Sequence, residues 1–584
     1  MKYRVLILGL LAVAGCAKGE VTGSESHFIK CGVDEDCPEG TCDEVRAVCV
    51  ATDAGAMPAE ITTPAPPTGP TPTPPPGSAF ESRAAWLTKA QLKYTVLDVL
   101  GVSVDDAILS QIPYISPYRG YGIVEGEQAL GLGRFAKSVV AQVDPTASAT
   151  ALAQCADTSA SCATKLVSRL GLKLFRRPLL AEESARLQTL FATLTAVEGA
   201  TFDQVYRGLL SAMLQSPQFL YKLEFETQGT PGEARATTGF ELASRLSYFL
   251  WQSAPDDALL NFAAEVDDSA GKLNAAKLRL QIERMMSDAA RFNRVRGTFW
   301  ADYTGASFAA FDGATPELAA ELRQSVVASF SRLAGEGAPE APLQEMFTTT
   351  KMRLTPKVAE LIGLPSAGEG LQEYDTQALP QRVGLLTHPG FLAAMGSTDF
   401  VRRSMHLSLA VLCREVTPPP ESNVPERIDA LGNTGSLTPK EASEYRFAAG
   451  PTCIVCHKTF EPIAYAFEQF DVMGVHRAKD DMAQDLFTSG YLQDSGGSSL
   501  GEYAGVPDLM NLLSTSEETS KCFVRRMLEF ASGRRPERAD RADRAAVDAA
   551  HAEFIREGGA FSHLVRSIAF APTMQALKVS NPTP

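Results

Sequence analysis

Leu87–Val102 reads LTKAQLKYTVLDVLGV. Its apolar residues recur at three- and four-residue spacing, and Thr88 stands where a helix N-cap belongs. The stretch is predicted to be a helix. The same period returns downstream in CATKLVSRLGLKLF, AEESARLQTLFATLTAV, FDQVYRGLLSAMLQ and GFELASRLSYFLW, and from LQEMF onward. Period-2 segments are few. Pro178, Pro217 and Pro255 each fall where one helical pattern ends or the next begins. The expected fold class is therefore mainly α, a multi-part helical body with no internal repeat of fixed period.

Upstream of that body the chain changes character twice. It opens MKYRVLILGLLAVAGC, with a positive n-region at Lys2 and Arg4 and an apolar run too short to span a bilayer. Small residues lead into Cys16. This resembles the lipobox of bacterial lipoproteins, in which cleavage precedes the cysteine and the thiol is lipidated; an ordinary secretory signal with a chance cysteine is the alternative. Ala17 after the cysteine favours the outer membrane, on its periplasmic or cell-surface side. Export places the other cysteines in an oxidising compartment. Cys31, Cys37, Cys42 and Cys49 lie in a short polar stretch that cannot build a core, so two disulfides are expected there, with three pairings open; metal binding by the four thiolates is the alternative, disfavoured by the oxidising compartment. Cys155 and Cys162 are close enough for a local bridge. Cys413 and Cys522 remain as a long-range pair or as two buried thiols. From Asp53 the chain is a Pro- and Thr-rich spacer with polyproline II character. The resulting organisation is a signal over 1–15, a stapled module over 16–52 and a linker over 53–80. Helical parts follow over 81–150, 151–230 and 231–375, then a haem-binding part over 376–480 and a helical part over 481–584.

The chain has 584 residues, 45% of them hydrophobic, enough for several cores. Its net charge of −15 argues against nucleic acid and anionic lipid surfaces as main partners. The arginine-rich stretch Arg525–Ala545 carries Asp540 and Asp543 at helical spacing and reads as a solvated face with ion pairs. No hydrolase elbow, Walker loop, dinucleotide fingerprint or H-E-x-x-H is present. Asp256-Asp257 reads as a helix cap.

One motif carries chemistry. TCIVCHKTFEPIAYAFEQFD, Thr452–Asp471, contains Cys453, Cys456 and His457 as C-x-x-C-H. Two thiols able to form thioethers with haem vinyl groups, followed at once by an imidazole for the iron, make a c-type attachment site. A zinc site needs two further ligands, and the chain has no second C-x-x-C and no H-x-x-H. A thioredoxin-like strand-and-helix context is also missing. A plain Cys453–Cys456 disulfide is the competing reading. Phe460, Ile463, Tyr465, Phe467 and Phe470 could wall a porphyrin, or be core. Glu468 and Asp471 could cap helices, or reach haem propionates with Arg477. The sixth ligand is open among His388, His406, His476, Met395, Met405 and Met473.

Further segments follow in a set order: TKAQLKYTVLDVLGV, LFRRPLLAEESARL, LQSPQFLYKLE, ASRLSYFLWQSAPDDALL, RVGLLTHPGFLAAM, LCREVTPPPESNVP, CIVCHKTFEPIAYAFEQFD and CFVRRMLEFASGRRP. This series resembles the exported, cytochrome-like bacterial proteins built from domains of unknown function 1587, 1595, 1592, 1588 and 1585. The resemblance implies a largely helical body and one covalent haem c held by Cys453, Cys456 and His457. It also supports pairing Cys413 with Cys522. Similar proteins often carry a His after the FLA segment; this chain has Met395 there, which makes Met395 the leading sixth-ligand candidate. The family's Asp-Pro-x-Gly appears as Glu461-Pro462-Ile463-Ala464.

The leading functional expectation is a lipid-anchored periplasmic monohaem protein that passes single electrons to or from a redox partner protein. The first alternative is a haem-dependent peroxidase or oxygenase acting on an exported substrate. The second is a surface binding protein with a structural haem. No catalytic side chain is assigned by the sequence.

Overall fold

The structure, a computed structural model, describes residues 41–43, 48–50, 80–81, 84–113, 126–224, 234–269, 272–414, 437–448, 457–480, 483–534 and 541–578. The signal stretch, Cys16, Cys31, Cys37, Cys453, Cys456, Asp540 and nearly all of the linker lie outside these residues, and of Cys42 and Cys49 the backbone alone is described.

Two compact units are present. The smaller comprises Met1–Pro72, Pro418–Gly435 and Glu444–Val455. In it, Thr41–Asp43 pairs antiparallel with Val48–Val50, with Cys42 opposite Cys49 in register.

The larger unit comprises Thr73–Thr417, Ser436–Ser443 and Cys456–Pro584, and is mainly helical. Its helices begin where local chemistry says they should. In α1, Lys89–Leu100, the Thr88 hydroxyl accepts from Gln91 N at 3.2 Å, and the Gln91 side chain accepts from Thr88 N at 3.1 Å. This reciprocal capping box closes two of the four orphan donors of the first turn. Gly101 ends the helix at φ 70°, a left-handed cap that favours glycine. Thr201 with Gln204, and Thr238 with Glu241, repeat the box. Asp256 caps its helix by accepting from Leu259 N at 2.9 Å, the role expected of Asp256-Asp257.

Two apolar cores organise this unit. The first gathers α1, α2 (Ala160–Leu174), α3 (Phe202–Leu214) and their neighbours, with Val96, Leu170, Leu209 and Met213 buried and Tyr248 joining from beyond. The stretches 81–150 and 151–230 thus share one core. The second runs from Leu242 to Met574. It is built on α4 (Gly239–Leu250), α5 (Ala289–Tyr303), α6 (Pro316–Leu333), α7 (Phe400–Leu412), α8 (Pro462–Tyr465), α9 (Glu517–Ser532) and α10 (Phe561–Phe570). At its centre Trp300 stacks on Phe523 with ring centroids 5.6 Å apart. Phe330 and Phe561 lie 5.0 and 5.8 Å from the same indole. Such clusters add pairwise geometry to their large buried area.

The strands are short ladders at the seams. Ala576–Lys578 pairs parallel with Phe80–Glu81 and antiparallel with Ala234–Ala236. Disulfides join Cys155 to Cys162 and Cys413 to Cys522. In the arginine-rich stretch, Arg534 pairs with Asp543. No helix among the described residues is long and apolar enough to cross a membrane.

Candidate functional site

His457 opens the helical turn that leads into α8, and it is buried. Four residues on, one turn later, stands Glu461, which is fully buried. Pro462 follows at the first position of α8, where its missing N–H costs nothing. The i,i+4 spacing brings Glu461 Oε1 to 2.5 Å from His457 Nδ1. With the carboxylate as acceptor, the proton of this contact sits on Nδ1. Nε2 has no hydrogen-bond partner among the described residues. The other oxygen of Glu461 accepts the hydroxyl of Ser443, whose oxygen lies 2.9 Å from the Tyr465 hydroxyl.

This donor set fits a metal-binding imidazole. Metal-ligating histidines characteristically place one ring N–H on a carboxylate or carbonyl, which fixes the tautomer and aims the other nitrogen. The residue at position five of C-x-x-C-H has surroundings of that kind. Phe460 sits against the imidazole, ring centroids 5.1 Å apart. Ile463, Tyr465, Phe467 and Phe470 pack in the second core.

The segment after the motif is tied to α7 by one guanidinium. Arg403 is completely buried. It donates to the carbonyls of Ser397 (2.7 Å), Asp471 (2.8 Å) and Phe467. The Met395 segment, two residues before Ser397, is thereby held alongside Phe467–Asp471. Met395 ends the short helix Pro389–Ala394 and packs partly buried against the core.

The other histidine candidates are placed as follows. Burial pushes His388 down to about 3 and His406 to about 4. Both rings are neutral and buried, each with an unpartnered Nε2. His388 Nδ1 accepts from Gly390 N at 3.0 Å and caps the helix that ends at Met395. His406 packs 5.6 Å from Phe391. His476 is exposed, its ring 6.0 Å from that of Phe470. Asp471 turns its own loop, accepting from Met473 N and Val475 N at 2.8 Å. The carboxylate of Glu468 accepts from Phe487 N, and burial raises it to about 6. Arg477 Nε donates to Glu468 O at 2.8 Å.

Sequence reasoning did not find Glu461, Ser443 or Arg403 as site residues. Only the i,i+4 step from His457 to Glu461 was there to be read.

A second feature lies elsewhere. A cleft of about 840 Å³ is lined by Trp86, Lys89, Tyr94, Asp302, Arg323 and Phe530, among others. The carboxyl of Asp302 in its lining is pushed up by burial to about 6. A raised acid stabilises the fold below its unfolded value near 3.9 and loses that contribution as pH rises through about 6. Asp302→Asn removes this term. The variant is expected to gain about 2 kcal/mol on wild type between pH 4.5 and 7.5, read as the difference in denaturant unfolding free energy. A difference independent of pH would show that Asp302 titrates normally.

Four family models recognise parts of this mainly helical chain. They match residues 162–224, 237–364, 382–480 and 501–572, and each is described as a protein of unknown function, DUF1595, DUF1592, DUF1588 and DUF1585 in that order. The chain has the domain composition of the cytochrome-c-like PSCyt and PSD set, and the match over 382–480, PSCyt3, contains the C-x-x-C-H motif. No curated protein and no solved structure matches the chain.

Proposed function

We propose that the protein is a c-type monohaem carrier of single electrons, exported and tethered by lipid at Cys16. One observation supports this above the rest: His457 is buried with Nδ1 committed to Glu461 and Nε2 uncommitted. Cys453 and Cys456 would hold the porphyrin through thioethers, and His457 the iron through Nε2. Haem so held supplies one-electron exchange. The chain's own residues do the rest. Glu461 fixes the imidazole tautomer, and the buried surroundings exclude water from the ring. Arg403 keeps the segment after the motif in register with α7. Met395 is proposed as the sixth ligand, because Arg403 holds its segment beside that of Phe467. The partner is a redox protein of the same compartment.

A second reading, haem-dependent oxidation of an exported organic molecule, draws support from the 840 Å³ cleft, which is large enough for a drug-sized substrate.

The test is the full chain made in cells able to attach haem c. Wild type is expected to give one haem per chain by pyridine haemochrome and a matching mass increase. Cys453→Ala with Cys456→Ala is expected to lose both. A wild-type chain with the mass of its residues and lipid alone would overturn the proposal. A six-coordinate, low-spin spectrum supports electron transfer; a high-spin spectrum that responds to cyanide favours oxidation.

A further inference from the structure

The wall of the 840 Å³ cleft carries positive charge that nothing answers. Lys89 opens α1 and Arg323 stands on α6, and both line the cleft. No acid among the described residues pairs with either. Lys89 has no hydrogen bond or ion pair there, and Arg323 donates to the carbonyls of Ala306 (2.7 Å) and Ala309 (3.2 Å). Burial holds both cations below their ordinary values, with no opposing charge to restore them. The other charges of the lining are matched. Lys93 meets Asp106 at 2.6 Å, and Lys222 lies over the Tyr248 ring at 5.6 Å. Arg294 holds both oxygens of Asp98, at 2.8 and 2.9 Å. The charges of Arg526 and Arg296 act on Asp302 and Glu336.

Two more features of the lining point to a guest. Ser331 is 1% exposed, and its hydroxyl has no partner among the described residues. A buried hydroxyl left unsatisfied is costly and uncommon. Gly297 lies in the interior of α5, where glycine is ordinarily disfavoured. A Cβ there would meet no atom within 4 Å, so packing does not call for glycine. What the missing side chain leaves is room. Trp86 and Phe530 add ring surface to the same wall. A cleft of this size suits a small organic molecule.

We propose that the cleft binds an aromatic carboxylate. Lys89 and Arg323 supply the positive field for its charge, Ser331 a hydrogen bond, and Trp86 and Phe530 the surface for its ring. The inference does not rest on haem, since every group named lies outside the C-x-x-C-H segment.

Isothermal titration of the full-length protein with 2-naphthoate, its neutral counterpart 2-naphthalenemethanol and inorganic phosphate tests it. Naphthoate is expected to bind at least about tenfold more tightly than either of the others. Lys89→Gln is expected to weaken naphthoate about tenfold and leave the alcohol unmoved, a split that loosening of the fold does not give. Arg323→Gln is expected to do the same; where it disturbs the turn at Ala306 and Ala309, the Lys89 variant decides. Gly297→Leu fills the opening without crowding a neighbour and is expected to abolish binding of both aromatic probes. Equal affinity for naphthoate and the alcohol would overturn the inference, as would phosphate bound as tightly as naphthoate. So would full naphthoate affinity in Lys89→Gln or in Gly297→Leu, or a wild type that takes up no naphthoate in the millimolar range. None of these outcomes bears on the haem reading, which the mass and the haemochrome of the wild type decide.

Discussion

Opening the bridge between Cys413 and Cys522 is expected to cost about 4 kcal/mol of stability. The bonded residues are 109 apart in sequence. In the chain-entropy account, a closed loop of that length removes about 4 to 5 kcal/mol of freedom from the unfolded ensemble. The bridge fastens the left-handed end of α7, where Cys413 sits at φ 51°, to α9. Cys413→Ser with Cys522→Ser is the variant, and its urea midpoint against wild type is the measurement. The bridge from Cys155 to Cys162 spans only 7 residues and gives an internal standard. Its removal should cost about half as much, near 2 kcal/mol. Equal losses at the two sites would mean that loop length is not what stabilises this fold, and native strain or packing would have to account for both.

Arg403→Ala is expected to be as damaging, at about 3 to 5 kcal/mol, because a fully buried guanidinium is lost and three carbonyls, one buried and two partly buried, lose their donor together. The guanidinium reaches Ser397, Phe467 and Asp471 because its donors are spread over a rigid planar fork. Lysine offers one point of charge and cannot reproduce that span. Arg403→Lys should therefore recover less than half of the loss. Thermal unfolding followed by circular dichroism ranks the three proteins. A lysine variant as stable as wild type would show that charge alone matters here, and that the carbonyls are satisfied in another way.

These two sites also show what could be read from sequence. The helices announced themselves through local chemistry. Thr88 with Gln91 makes a box four residues long, and Asp256 stands one residue before its helix. Pro217 sits at the start of a short helix, where the punctuation of the sequence put it. Such features need only neighbours in the chain. The clamp of Arg403 on Phe467 crosses 64 residues, and Ser443 meets Glu461 across 18. No periodicity reports contacts of that kind. His457 was legible because the C-x-x-C-H motif occupies five consecutive residues. Its partner Glu461 registered only as a departure from Asp-Pro-x-Gly, since nothing in the spacing says which acid is buried. The aromatic run after the motif had two readings. Core packing accounts for Ile463, Tyr465, Phe467 and Phe470, while Phe460 remains beside the imidazole. The short ladders escaped because two or three residues cannot show alternation.

The ladder of Ala576–Lys578 governs the order of assembly. This segment lies between Phe80–Glu81 and Ala234–Ala236, and Arg245 binds the carbonyls of Thr573, Met574 and Ala576 from α4. A polypeptide synthesised N-terminus first delivers the outer two strands hundreds of residues before the middle one. Until the last arrives, both early edges stay open to unwanted pairing. Directional synthesis therefore imposes a waiting period in which the front of the molecule needs shelter, and the tail is the latch that ends it.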